Sequence, residues 1–447
     1  MSRTESRLEE VNYYLDSIKA QHPHHPQLLQ AATDILESSM DVLVAERRDL
    51  LNEGFLERLM MPDRIIQFTV HWRDDSGRLH INRAARVQHS NLLGPYKGGL
   101  RFHPQVNLDT LQFLALEQTL KNSLTGMQLG GAKGGSDFNP RNRSNQEIGR
   151  FCHALMTELA HHIGPNRDVP AGDIGVGERE IGYLFGRYRE MSQQFAGVLT
   201  GKTPFYGGSC LRQEATGYGC VYVADQVLDG GVEGRTCLVS GAGNVALHTA
   251  EKLIALGARV LTLSDSEGFA LCKDGIDKDQ LEEIKQRRSD GERLSAMADD
   301  CGFKYHKGSK PWEQEGELAF PSATQNELDG DDAKSLANNG LKALFEGANM
   351  PLTADARDHL VDKDILLVPS IAANAGGVAV SSLEMSQNTM GQHWSADEVD
   401  EKLQAVMKDI VTSCKAWGES KNKVDYIKGA NVAGLIRVLD AAAAQWV

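Results

Sequence analysis

No apolar run in the chain reaches the roughly 18 residues that a membrane-spanning helix requires. The N-terminal stretch is charged and lacks the apolar centre of a secretory leader, so export is not expected. The seven cysteines, Cys152, Cys210, Cys220, Cys237, Cys272, Cys301 and Cys414, are scattered, odd in number and free of any C-x-x-C. That pattern argues against a disulfide framework and a zinc site, and it fits reduced thiols in a cytoplasm. Basic residues are in deficit: 47 Lys and Arg face 61 Asp and Glu, a net charge of −14. Nucleic acid and anionic membrane are therefore not expected as partners, and an anionic substrate needs a local basic pocket. No internal repeat or low-complexity linker interrupts the 447 residues, of which 41% are hydrophobic and 24% charged. Such a chain is an ordinary globular protein of two or three domains.

The local basic pocket is supplied by residues 94–140. This stretch opens with GPYKGGLRFHP, closes with LGGAKGGSDFNP, and carries Lys97, Lys121 and Lys133 among glycines. Glycine on both sides of a lysine lets backbone and ligand approach closely. A lysine among other cations has a depressed pKa and can serve as acid, base or nucleophile. Three convergent cations suit an anion, and two of them can hold a dicarboxylate. Lysines are also common on solvated surfaces, and Lys121 taken alone fits that description equally well.

Residues 5–60 read as helical, with Leu8, Val11, Leu15 and Ile18 at helical spacing. HPHHP at 22–26 reads as a solvated break between helices rather than a metal site. Ile66, Phe68, Val70 and Trp72 alternate on one strand face, DDSG at 74–77 makes a turn, and a second strand runs through Ile81. The later region has another rhythm. RTCLVSGAGNVALHTAEKLIALGARVLTLSDSEG reads as strand, glycine turn, helix, strand. DKDQLEEIKQRR and ERLSAMADD read as helices, and ELAF, LKALFEG and DILLVPS as short buried strands. Alternating elements of this kind imply a parallel sheet covered on both faces. A long helix over about 395–416 places Val399, Leu403, Val406, Met407 and Ile410 on one face, and a last helix starts near 431.

Gly241, Gly243 and Ala246 in SGAGNVA form a G-x-G-x-x-A pattern. It follows an apolar strand ending at Val239 and opens a helix, the context a dinucleotide site needs. The helix N-terminus favours the pyrophosphate charge. Asp265 closes the next strand, where an acid accepts hydrogen bonds from the adenosine ribose. Asp265 by itself argues for NAD. Ser266, with Lys285, Arg287, Arg288 and Arg293 downstream, suits the extra phosphate of NADP, although a solvated helix face explains those cations equally.

Taken together, GPYKGGLRFHP, GGAKGGSDFNP, DVPAGDIGVGERE, GGSCLRQEATGYG, GAGNVA, ATQNEL, EGANMP and NAGGVAVSSLEMSQN make the chain resemble hexameric glutamate dehydrogenases of the bacterial small-subunit type, over nearly its whole length. The resemblance implies an α/β protein of two domains. An N-terminal substrate and oligomerisation domain covers 1–208, completed by the C-terminal helix 430–447. A Rossmann-like, doubly wound dinucleotide-binding domain covers 209–429, with substrate in the cleft between the two. It implies a cytoplasmic homohexamer, active on glutamate, 2-oxoglutarate and ammonium, with no metal.

By that resemblance Lys97 binds the side-chain carboxylate, assisted by Ser381, and Lys121 binds the α-carboxylate. Lys133 and Asp173 are the catalytic lysine and aspartate. Thr216, Gly241, Gly243, Asn244 and Val245 line the cofactor, and Asn349 and Asn374 lie near the nicotinamide ribose and the substrate. The pair Asp265–Ser266 is similar to that of members using NADP, which tilts the cofactor from NAD to NADP. Met127, Gln128 and Leu129 depart from the Leu-Pro-Met of many relatives, which leaves the shape of the pocket floor open.

The implied reaction is reversible oxidative deamination of glutamate, assimilating ammonium in reverse. Lys97 and Lys121 orient the substrate, Lys133 exchanges a proton with the attacking water, and Asp173 serves the amine and the iminium charge. Asp173 in PAGD is equally a turn residue by its local sequence. The alternatives are an NAD-using catabolic glutamate dehydrogenase and a related dehydrogenase of apolar amino acids. The latter relatives lack a lysine at the position of Lys97. A non-catalytic relative is expected to have lost Lys133 or Asp173, and both are present.

Overall fold

The structure, a computed structural model, describes residues 3–420 and 423–446. The chain forms two compact units. The first comprises residues 1–210, 381–399 and 431–447, and the second 211–380 and 400–430. The boundaries after residue 380, 399 and 430 fall inside the helices Gly376–Met390, Ala396–Gly418 and Tyr426–Gln445. Among the described residues no helix is long and apolar enough to cross a membrane.

The first unit begins with helices Arg3–Gln21 and Pro26–Glu46 and the short helices Arg48–Asn52 and Phe55–Leu59. Val11, Tyr14 and Ile18 form the buried face of the first helix. Tyr14 takes the place expected of Leu15, which is only half-buried, and Leu8 lies outside the described side chains. The HPHHP break holds, and the His22 and His25 rings stack 5.2 Å apart.

A five-stranded sheet follows. Its strands are β1 (Arg64–Arg73), β2 (Leu79–Ser90), β3 (Tyr96–Phe102), β4 (Gly131–Ser136) and β5 (Asp168–Gly172), in the order β1-β2-β4-β3-β5. β1 and β2 are an antiparallel hairpin. Its turn is fixed by the Asp74 carboxylate, which accepts from the Ser76 and Arg78 amides at 2.9 and 3.0 Å, and by Gly77 at φ 84°. β4 runs antiparallel to β2 and parallel to β3, and β3 is parallel to β5. One face packs on an aromatic core in which Phe138 and Phe151 stack at 3.8 Å, with Trp72 and Phe102 edge-on.

The other face is approached by the helix Leu108–Leu124. A Cβ on Gly131 would lie 1.8 Å from Thr119 Oγ1, so this helix can sit on β4 only because that residue is glycine. The last helix joins the same unit, with Ser123 Oγ donating to the Gly434 carbonyl at 2.9 Å and Arg437 to that of Ser123 at 2.6 Å.

The second unit holds a seven-stranded sheet: β6 (Thr236–Val239), β7 (Arg259–Asp265), β8 (Gly268–Leu271), β9 (Lys304–Lys307), β10 (Leu318–Phe320), β11 (Ala343–Phe345) and β12 (Leu366–Val368). The order is β12-β11-β10-β6-β7-β8-β9, parallel from β12 to β7. β8 and β9 are antiparallel strands at one end of the sheet, with β9 at the edge, an addition to the expected parallel sheet. The ERLSAMADD stretch is not a helix; only a 3₁₀ turn, Leu294–Ala296, forms. Asp299 and Asp300 would have placed negative charge at a helix C-terminus, and the Leu294 amide is instead bound by the Asp265 carboxylate at 3.1 Å.

Candidate active site

The three lysines lie on regular elements of the first unit and not on open loops. Lys97 is on β3, Lys133 on β4 and Lys121 on the helix Leu108–Leu124, and all three are buried. The glycines beside them therefore serve the sheet first. A Cβ on Gly98 would fall 1.6 Å from the Ala132 carbonyl oxygen, so β3 and β4 can lie together only with glycine there. Asn122, next to Lys121, donates to the Lys97 carbonyl at 3.0 Å and ties that helix to β3. Lys97 Nζ donates to Thr200 Oγ1 at 2.8 Å, a partner 103 positions away that sequence reading missed.

Ser381 is buried in the same unit. The segment it opens is anchored by a fully buried ion pair, Lys202 Nζ to Glu384 Oε1 at 2.6 Å, with the Gly201 amide donating to Glu384 at 2.9 Å. The departure at Met127–Leu129 sits against Gly94, where a Cβ would meet the Gln128 carbonyl oxygen at 2.2 Å.

Lys133 meets Asp173: Nζ is 3.2 Å from Oδ1. The second carboxylate oxygen accepts from Arg101 Nε at 2.6 Å. Asp173 is also a turn residue, since its carbonyl accepts from the Val176 amide at 2.8 Å. The turn reading of PAGD is thus realised, and the same residue pairs with Lys133. Burial pushes the Lys133 amine below its usual range, and the Arg101 and Arg86 guanidinium groups add to this against the pull of Asp173. The cations acting on Lys133 include two arginines, Arg101 and Arg86. Burial by itself raises the Asp173 carboxyl, but Lys133 and Arg101 outweigh it and hold the group below the usual carboxylate range. Arg86 is fully buried and pairs with Asp168 at 2.5 Å. A buried amine held below its usual range beside a carboxylate held below its own can pass protons to and from a bound molecule.

In the second unit, Gly241 turns the chain at φ 90° after β6. Its amide donates to Ser264 Oγ of β7 at 2.7 Å, which locks the turn to the sheet. Gly243 caps the helix Asn244–Ala255 without a side-chain hydrogen bond, and a Cβ built on it meets nothing within 4 Å. Backbone donors at an uncapped helix start, with open space beside them, fit a pyrophosphate. Gly243 and Asn244 are exposed and Val245 half-buried at this opening.

Asp265 ends β7 as expected, but its carboxylate already serves the chain itself. Oδ1 accepts from the Glu267 amide at 3.0 Å and Tyr305 Oη at 2.8 Å, and Oδ2 from the Leu294 amide at 3.1 Å. It anchors the loop around Ser266, which is exposed. Of the cations downstream, Lys285 and Arg287 are engaged in surface ion pairs. Arg288 Nε donates to the Ala242 carbonyl within the glycine turn at 3.2 Å, and Arg293 pairs with Glu267.

Asn374 is buried. Its Nδ2 donates to Asn349 Oδ1 at 3.0 Å and to the Gly347 carbonyl at 3.1 Å, whereas its Oδ1 accepts no hydrogen bond from the described residues. An orphaned buried acceptor is costly unless a ligand donates to it. Beside it, Gly376 and Gly377 let the helix Ala215–Val227 come close: added Cβ atoms would lie 2.0 Å from the Ala215 carbonyl oxygen and 2.4 Å from Thr216 Oγ1. Among the described residues no cluster of three or more His, Cys, Asp or Glu side chains is arranged to hold a metal.

Residues 62–190 match the family described as Glu/Leu/Phe/Val dehydrogenase, dimerisation domain, and residues 207–445 match Glutamate/Leucine/Phenylalanine/Valine dehydrogenase. The chain is 49% identical over 438 residues to a glutamate dehydrogenase of Bacteroides thetaiotaomicron, covering 97% of this chain and 98% of that protein. It is 45% identical over 450 residues to an NADP-specific glutamate dehydrogenase of Haemophilus influenzae, covering 99% and 100%. The crystal structure of Plasmodium falciparum glutamate dehydrogenase superposes with a TM-score of 0.96 at 46% identity, over 100% of this chain and 96% of that one.

Proposed function

The chain belongs to the Glu/Leu/Phe/Val dehydrogenase family, and from that premise we propose that it is an NADP-dependent glutamate dehydrogenase, interconverting L-glutamate with 2-oxoglutarate and ammonium. The observation that carries this reading is the pairing of buried Lys133 with half-buried Asp173, in a unit that also buries Lys97 and Lys121. Two buried amines suit the two carboxylates of a five-carbon diacid, with Lys97 and Ser381 at the side-chain end and Lys121 at the α-carboxylate. A dehydrogenase of apolar amino acids has no use for a lysine at position 97.

NADP, when bound, would supply the hydride acceptor for the glutamate α-carbon and the hydride donor in the reverse direction. Gly241, Gly243, Asn244, Val245 and Thr216 would hold the dinucleotide, with Asn349 and Asn374 near its nicotinamide ribose and the substrate. The engagement of Asp265 by its own loop supports NADP over NAD. A carboxylate already accepting three hydrogen bonds from the chain is a poor acceptor for both ribose hydroxyls. Ser266 is exposed and suited to an added phosphate, and Arg293, now paired with Glu267, is a cation that could turn to it.

In the chemistry that follows, Lys97 and Lys121 fix the substrate by both ends, so that orientation supplies much of the rate. Asp173 takes a proton from the substrate ammonium, which frees the nitrogen lone pair to form the iminium as the α-hydrogen departs with its electron pair. Lys133 accepts a proton from the water that adds to that carbon. Asp173 then returns its proton to the nitrogen, the C–N bond breaks as the hydroxyl proton passes to the departing nitrogen and C=O forms, and Lys133 releases its proton to solvent.

Lys133→Ala and Asp173→Asn should each lower kcat by at least on the order of 10²-fold in folded protein, read from the absorbance of the reduced nicotinamide. Near-normal turnover in either variant removes that residue from the chemistry. Comparing kcat/KM for NADPH and NADH tests the cofactor, and a preference for NADH would reverse it.

We infer further a cytoplasmic homohexamer. It is supported by the dimerisation-domain match over 62–190 and by the exposed apolar residues Ile65, Leu79 and Ile81 on the β1–β2 hairpin.

A further inference from the structure

Arg101 has no role in the scheme above, yet it lies at the centre of the reacting groups. The strand order places β3 between β4, which carries Lys133, and β5, which leads directly into Asp173. Arg101 is in register with Gly135 on one side, and its neighbour Leu100 is in register with Gly172 on the other. Arg101 and Asp173 therefore leave neighbouring strands at one level, and Lys133 leaves β4 two residues before the register partner of Arg101. Two glycines make the arrangement possible. A Cβ on Gly99 would stand 2.8 Å from Asp173 Cβ, so the aspartate occupies the space that a side chain on β3 would fill. A Cβ on Gly175 would lie 2.3 Å from the Phe102 carbonyl oxygen, so the turn after Asp173 rests on β3 itself. The Phe102 amide donates to the Ile174 carbonyl at 2.8 Å and fixes that turn.

The two oxygens of Asp173 are divided between two cations: Oδ2 faces Arg101 Nε at 2.6 Å and Oδ1 faces Lys133 Nζ at 3.2 Å. The shorter contact is to a planar group on a rigid strand, and the longer is to a flexible amine. A guanidinium N–H is directional, so it sets the rotation of the carboxylate.

We propose that Arg101 is the positioning residue of this reaction: it holds the Asp173 carboxylate by one oxygen so that the other faces the Lys133 amine and the substrate nitrogen. The proposal rests on the functional reading above. A positively charged group also bears on the titration of both partners. The charged groups around the pair are Arg101 from β3, Lys133 from β4, and Arg86 from β2, itself paired with Asp168 of β5. Arg101 favours the ionised form of Asp173 and disfavours the protonated form of Lys133. Its removal therefore raises the pKa of both groups, and the inflections of the pair move together.

The test is the pH dependence of kcat/KM for glutamate in Arg101→Gln and Arg101→Lys, beside Lys133→Ala and Asp173→Asn. R101Q is expected to lower kcat on the order of 10²-fold, as misplacement of a reacting group does, and to move the inflections of the profile to higher pH. R101K keeps the charge and loses the directed Nε contact, so it should lower kcat while leaving the inflections near those of the parent. A merely structural role predicts a lower melting temperature and a lower plateau with unmoved inflections in R101Q, and that result overturns the proposal. Should R101Q fail to fold, R101K decides: an unchanged kcat overturns it. Failure of the functional reading looks different, because K133A and D173N would then keep their turnover.

Discussion

His89 shows how a single residue ties stability to pH. It ends up inside the first unit, with Nδ1 2.8 Å from Thr119 Oγ1 and Nε2 without a partner among the described residues. Burial pushes its imidazole from 6.5 down to about 4, so the folded protein keeps a neutral ring where the unfolded chain binds a proton. The unfolded state holds more protons between those two values. The contribution of His89 is therefore full above about 6.5 and lost as the pH falls toward about 4. By linkage this amounts to roughly 3 kcal/mol across the window. Urea midpoints measured near neutrality and again near pH 5 should fall more steeply in the parent than in His89→Asn.

At this scale the sequence was legible where chemistry is written into a local string. Lys133 within GGAKGG and Asp173 within PAGD can be read directly. Arg101 cannot, because an arginine followed by phenylalanine on a strand looks like any other, and only strand order brings it to Asp173. Thr200 is silent for a related reason: its contact with Lys97 spans 103 positions.

Elements explain the glycines, which fall into two kinds. Those on β3 and β4 are there for the sheet. Gly98→Ala drives a methyl into the Ala132 carbonyl, and the expected result is destabilisation of about 3 kcal/mol or more, or insoluble protein. Gly243→Ala meets nothing within 4 Å, so its melting temperature should match the parent, while the KM for NADPH rises because the methyl occupies the approach of the pyrophosphate. Equal KM values would show that the dinucleotide does not come close to Gly243. From sequence both glycines look alike; the packing separates them.

Period and turn chemistry made most elements readable, including the hairpin at 74–77 and the strand–turn–helix at 236–255. They failed at 292–300, where the charge pattern opposes a helix. They also missed β8 and β9, short antiparallel strands whose pairing is decided by tertiary neighbours.

For the whole molecule, the β1–β2 hairpin is the surface to watch. Ile81 is 61% exposed and Leu79 50% on a strand pair at the edge of the sheet. An exposed apolar face at a sheet edge is a site of association unless covered. Light scattering at micromolar concentration should give a mass six times that of the 48.9 kDa chain, and Ile81→Asp should give smaller species. A parent protein that is monomeric under those conditions contradicts the assembly.

The chain passes between its two units after residues 210, 380, 399 and 430, and that path has a temporal side. Asn431 Nδ2 reaches back to Ser38 Oγ at 2.8 Å, across 393 positions, and Arg437 secures the end of the helix that carries Lys121. During synthesis the half that emerges first cannot close, because its final helix is still unmade. The dinucleotide half needs nothing beyond residue 430. The earlier-made unit is thus the last to be finished, and the surface that its final helix covers stays open until the residues beyond 430 have been made.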